Sequence, residues 1–150
     1  MPRALTEQER QAFLAEPHVG VLSVASDDGR PPLTIPLWYG YQPGGTISFF
    51  TGTQGRKARK TRLIQKAGVL SLSVQRAEFP YKYVTVEGTV VQTDQPPSAE
   101  QMLTIARRYL PEEAAQAFVR AELARPGSEL VLFTIRPDRW LTADFTDESR

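Results

Sequence analysis

The sequence predicts a mainly β domain with peripheral helices, its antiparallel strands curled into a small barrel. Three observations predict this. From Val19 to Val91 the dominant hydrophobic period is two. Turns rich in glycine and proline separate most of the strand-like runs, with no room for the helical crossovers that a parallel sheet needs. Several runs are apolar on both faces, as in a sheet rolled around its own core.

The elements follow in order. Thr6 and Glu9 form a capping-box pattern, which opens a short helix carrying Phe13 and Leu14 and stopping near Pro17. Val19 to Ala25 is a short strand, and Asp27-Asp28-Gly29 marks the hairpin after it. Leu33 to Tyr41 alternates, with Leu33, Ile35, Leu37, Tyr39 and Tyr41 on one face. Pro36 cannot donate to a ladder, so this strand is expected at an edge or bulged. Pro43-Gly44-Gly45 turns the chain into a strand from Thr46 to Thr53. Gly52-Thr53-Gln54-Gly55 is a further turn, and a basic helix starts behind it.

Val69 to Val74 and Tyr81 to Gln92 resume the strand pattern. Ser98-Ala99-Glu100-Gln101 caps a helix with Met102, Ile105, Ala106 and Tyr109 at helical spacing. A second helix starts at Pro111-Glu112-Glu113 and buries Ala115, Phe118, Val119 and Leu123. Leu130 to Ile135 is a last core strand that Trp140-Leu141 extends. With no repeat and no linker, residues 1–150 read as one domain.

Composition excludes several chemistries. There is no cysteine, so disulfides, thiolate nucleophiles and Cys-based metal sites are absent. His18 is the sole histidine; it precedes a buried strand and reads as structural, and no serine sits in a nucleophile elbow. No His/Asp/Glu cluster has metal-ligand spacing. No apolar run approaches the ~20 residues of a membrane span, and the N-terminus lacks a signal-peptide core. A cytoplasmic location is expected.

The most informative local feature is Arg56-Lys57-Ala58-Arg59-Lys60-Thr61-Arg62, five cations in seven residues on a chain whose formal net charge is only +1. A strand that turns through glycine into a helix leaves free N–H groups that suit a phosphate or carboxylate. Guanidinium and ammonium groups beside them reinforce that preference. A solvated helix face is the plain alternative. Nucleic-acid binding is a third reading, disfavoured by the balanced charge and by aromatics that alternate as core residues. An anion site without catalytic side chains points to a bound cofactor that performs the chemistry.

The order of motifs resembles the split β-barrel flavin and deazaflavin oxidoreductases, the superfamily that includes pyridoxamine 5′-phosphate oxidases. The matching residues are His18-Val19-Gly20-Val21-Leu22-Ser23-Val24, Asp28-Gly29-Arg30-Pro31, Pro36-Leu37-Trp38-Tyr39, Phe50-Thr51-Gly52-Thr53, Gly55-Arg56-Lys57-Ala58-Arg59 and Tyr81 to Thr89. A weaker match follows at Arg136-Pro137-Asp138-Arg139-Trp140.

The resemblance implies a six-stranded antiparallel split β-barrel, like that of FMN-binding proteins, and a homodimer with the cofactor between subunits. It implies coenzyme F420, with FMN as the alternative. Arg56-Lys57-Ala58-Arg59 is similar to the deazaflavin-using branch. By position, Phe50, Thr51 and Thr53 would line the cofactor, and Arg56, Lys57 and Arg59 would hold its anionic tail. Pro80, Tyr81 and Lys82 would approach from another strand pair, across the dimer. Trp38 and Tyr81 are candidate substrate walls, with ordinary packing as the alternative for each.

The implied reaction is hydride transfer between the reduced cofactor and a small unsaturated or quinone-like substrate, with no catalytic side chain assigned. A non-catalytic cofactor-binding protein is the alternative. Leu141 to Arg150 lacks the C-terminal substrate elements of the pyridoxamine phosphate oxidases, so that specific activity is not expected.

Overall fold

Strands form where the period is two. The computed structural model describes residues 2–53, 56–126 and 129–146, and omits the side chains of Arg56 and Lys57. The expected turn at Gln54-Gly55 lies outside the described residues. The elements are α1 (Glu7–Ala15), β1 (Gly20–Val24), β2 (Leu33–Leu37), β3 (Gly40–Tyr41), β4 (Ile47–Gly52), α2 (Arg56–Ala67), β5 (Val69–Gln75), β6 (Lys82–Asp94), α3 (Ala99–Ala106), α4 (Glu112–Ala124) and β7 (Leu130–Asp144).

One antiparallel sheet carries all seven strands in the order β2-β1-β5-β6-β7-β4-β3. This corrects the expected six-stranded split β-barrel: there are seven strands, and the sheet does not close, since β2 and β3 are not hydrogen-bonded to each other. The expected strand from Leu33 to Tyr41 divides at Trp38-Tyr39, and its halves lie at opposite edges. The reason is local. Tyr39 N–H donates to the Tyr109 hydroxyl (3.2 Å) instead of to a strand, and the Tyr39 hydroxyl donates to Leu14 O (2.9 Å). Only two residues join the edges, so Leu37 and Gly40 lie within about 11 Å of one another. The sheet is therefore rolled, with its edges meeting at one end. Pro36 sits in an edge strand, where its missing N–H costs no ladder bond.

The rolled sheet encloses Leu22, Val24, Phe49, Leu72, Val74, Val84, Val86, Phe133 and Ile135. Leu63 and Ile64 of α2 complete this core, and Phe13 and Leu14 of α1 close it. The predicted capping box of Thr6 with Glu9 forms, and the predicted cap at Ser98 is also a capping box, with Gln101. Each is worth about 1 kcal/mol to its helix. The last strand runs unbroken for 15 residues, and irregularities at Glu87/Gly88 and Val90/Gln92 absorb its twist against β6.

A second, smaller core packs α3 and α4 together through Met102, Ala106, Ala115, Val119 and Leu130, with Phe50 and Phe118 against it. Leu123, expected on the buried face of α4, is 46% exposed. With 13 residues against 8, α4 overruns α3, and its last turn has no helix to pack on. Among the described residues no helix is long and apolar enough to cross a membrane.

Candidate functional site

Strand β4 ends at a corner that is fastened from two sides. On the inner side, the buried Thr61 hydroxyl of α2 donates to Gly52 O (2.7 Å) and lies 2.5 Å from the buried Thr51 hydroxyl. On the other, Thr53 gives both its N–H and its hydroxyl to Glu129 O, at 2.9 and 3.1 Å. Thr51 and Thr53 thus use their donors to fix the corner. From this corner α2 starts at Arg56, with no acidic residue in its first turn. Helix dipole and side-chain charge consequently have the same sign there.

The cations of α2 divide in an unexpected way. Arg59 Nη2 donates to Ser26 Oγ (3.1 Å) and lies 4.0 Å from Asp28 Oδ1. Arg62 and Lys66 both hold Asp27 Oδ2, at 2.5 and 3.3 Å. The Arg62 hydrogen bond is the main reason the Asp27 carboxyl lies below its ordinary pKa, with Lys66 adding to it. One face of α2, at spacings of three and four, is therefore docked on the β1–β2 loop. The sequence marks Asp27 and Asp28 as a turn, and Asp28 as part of the family-like run, but not as ion-pair partners of α2. The i, i+4 cations Arg62 and Lys66 were a visible sign that a carboxylate faces them, but the sequence does not say which.

Outside β4, the aromatics form a continuous row. Trp38 stacks on Tyr109 with ring centroids 4.8 Å apart and planes 5° from parallel. Phe118 lies 5.4 Å from Trp38 and 6.3 Å from Phe50. Phe50 and Trp38 thus share one wall. Beside it, a groove of about 620 Å³ is lined by Gln95, Pro96, Leu123, Glu129 and Leu130, and the Thr53–Glu129 bonds join it to the corner.

Pro80, Tyr81 and Lys82 are not part of this cluster. Gly52 pairs with Leu130 at the start of β7, whereas Lys82 pairs with Asp144 at its end. The separation is on the order of 40 Å measured along the strand. Tyr81 packs edge-on against Phe79, and both are half or more exposed (50% and 59%).

His18 stacks on Phe13 with ring centroids 4.4 Å apart. Burial is the leading cause of its lowered pKa, opposed by Glu16, whose Oε1 lies 3.9 Å from Nε2.

The fold is a mainly β one, a rolled antiparallel sheet with four helices, two of them paired over an aromatic wall. The chain belongs to the pyridoxamine 5′-phosphate oxidase family, whose model matches residues 6–143. An F420 reductase of known structure is 25% identical, covers 87% of this chain and 94% of its own, and superimposes with a TM-score of 0.64. A conserved hypothetical protein from Mycobacterium tuberculosis (17% identity, 97% and 89% coverage, TM-score 0.70) and a FAD-binding protein from Mesorhizobium loti (20%, 96% and 96%, 0.62) share the fold. No curated protein matches the chain.

Proposed function

We propose that the chain is an oxidoreductase that holds coenzyme F420 by its anionic tail at the corner between β4 and α2. It would pass a hydride between the cofactor and a small unsaturated or quinone-like substrate. The observation that carries this reading is the corner itself. A helix with no acid and three cations in Arg56-Lys57-Ala58-Arg59 begins next to a wall containing Phe50 and Trp38. Phosphate and carboxylate groups are held by such a helix start, and a flat apolar ring by such a wall.

The residues present fit the group. Arg56 and Lys57 open α2, and Arg59 is oriented by Ser26. Thr51 and Thr53 engage their hydroxyls inside the chain at the end of β4, so they would line the ligand without donating to it from those groups. When bound, the deazaflavin supplies the hydride chemistry. The protein's own part is positioning, exclusion of water from the ring face, and electrostatic balance of the tail.

The similarity of Arg56-Lys57-Ala58-Arg59 to the deazaflavin branch and the F420 reductase neighbour support F420. FMN in the same place is the second reading, because the family resemblance covers both cofactors. Two copies of the chain would reconcile the distant residue groups. In a homodimer the exposed Phe79 and Tyr81 of one copy, with the half-buried Lys82 beside them, can cover the corner of the other, placing Tyr81 beside Trp38 as a substrate wall.

The experiment is a fluorescence titration of purified protein with F420, FMN and FAD, followed by oxidation of reduced F420 with a panel of quinones and enones. F420 binding with turnover is expected. Tight FMN binding without a response to F420 overturns the cofactor assignment, and F420 binding without turnover on any acceptor makes the protein a carrier.

A further inference from the structure

Far from the α2 corner, three elements converge on a pocket of about 290 Å³. Glu7 and Arg10 come from α1, Tyr41, Gly44, Gly45 and Thr46 from the β3–β4 hairpin, and Arg136, Pro137 and Trp140 from β7. Ile47 and Gly52 stand at opposite ends of β4, so this pocket and the corner lie about 17 Å apart along that strand. The reaction proposed above makes no use of the pocket.

The feature that marks it is Arg10. Its guanidinium carbon lies 4.1 Å from the centroid of the Trp140 ring. Its Nε is fully buried and has no hydrogen-bond partner. Among the described residues Arg10 has no ion-pair partner. Glu7, one turn earlier, accepts instead from Gln11 Nε2 (3.3 Å). A buried donor left unmade is costly and rare, and a charged one more so. The Trp140 face compensates part of the charge but accepts no conventional hydrogen bond.

A second guanidinium shares the pocket. Arg136 uses Nε to donate to Asp138 Oδ1 (2.9 Å), is 60% exposed, and keeps its remaining N–H groups for another acceptor. The lining side chains thus offer two guanidinium groups beside Glu7, Arg136 being partly balanced by Asp138 and Arg10 by no ion pair among the described residues. The Pro43-Gly44-Gly45 turn closes the third side, and positive φ at Gly44 (74°) lets it do so.

We propose that this pocket binds a small oxyanion-bearing ligand, a carboxylate or a phosphate, which Arg10 and Arg136 grip against the Trp140 edge. Planar guanidinium forks suit both groups, and the pocket volume admits a compact anion but not a dinucleotide. Glu7 at the rim favours ligands that carry a hydroxyl or amino group beside the anion and disfavours those with a second negative charge there.

The chain has two tryptophans, Trp38 and Trp140. In the two-dimensional amide spectrum of ¹⁵N-labelled wild-type protein, each gives one indole N–H signal, and Trp38→Phe assigns them. The probes are inorganic phosphate and citrate, each titrated at constant ionic strength. The Trp140 signal is expected to shift saturably with at least one probe while Trp38 stays in place. Arg10→Met and Arg136→Met are each expected to raise the apparent Kd about tenfold, the loss of one charge-assisted bond. A Trp140 signal that both probes leave unmoved into the millimolar range overturns the proposal. So does a Kd unchanged in Arg10→Met. The assay needs no F420 or FMN, so its outcome is independent of the cofactor reading.

Discussion

Replacing Thr61 with valine tests the corner that places the candidate site. Thr61 is buried, its hydroxyl is shared between Gly52 O and the Thr51 hydroxyl, and valine has nearly the same shape. The substitution removes one hydrogen bond worth about 1 kcal/mol and leaves the buried Thr51 hydroxyl unpaired at a further cost of about 1–3 kcal/mol. Together these amount to about 2–4 kcal/mol, or a Tm lowered by about 4–16 °C for a chain of this size. Thr51→Val alone is expected to cost only about 1 kcal/mol, because Thr61 keeps Gly52 O. In the double variant the orphaned hydroxyl is gone, so it is no less stable than Thr61→Val. Urea unfolding of the four proteins gives this cycle directly, with an expected coupling of at least about 1 kcal/mol. A Thr61→Val midpoint equal to wild type, or strictly additive losses, would refute the reasoning.

Two further outcomes follow from other parts of the fold. A Cβ at Gly88 would stand 2.2 Å from Ile135 Cγ2 and 3.0 Å from Arg136 O, so Gly88→Ala is expected to lower stability by about 1–3 kcal/mol in urea unfolding; an unchanged midpoint would mean that the β6–β7 bulge is not under this constraint. Burial lowers the His18 pKa from its ordinary 6.5, so the unfolded chain binds the proton more readily. The stability that His18 contributes is then complete above about pH 6.5 and is lost as pH falls through the folded value. His18→Gln is expected to flatten the pH dependence of Tm between neutral and mildly acidic pH, and an identical slope in both proteins would contradict it.

How much was legible in the sequence depended on the range of each interaction. The caps at Thr6 and Ser98 and the edge role of Pro36 are local and were readable. The division of Leu33–Tyr41 was not, because the break is imposed from Tyr109, 70 residues away, through its hydroxyl. The same holds for the site. The basic turn of α2 and the strand before it were visible as composition. That Thr51 and Thr53 would spend their hydroxyls on Thr61 and Glu129, or that Asp27 would collect Arg62 and Lys66, depends on contacts a pattern of residues does not encode. Tyr81 and Lys82 matched the family motif by position, and only the β6–β7 register reveals how far along the sheet they lie from the corner.

The most direct test of the central claim is calorimetric titration of F420 into wild-type protein, Lys57→Ala and Arg59→Ala. The β4–α2 corner predicts saturable binding by wild type, and about ten- to hundredfold weaker binding by each variant; Arg59→Ala also loses the bond to Ser26, so its Tm is expected to fall slightly. Equal affinity in all three proteins would place the anionic tail elsewhere and contradict the account.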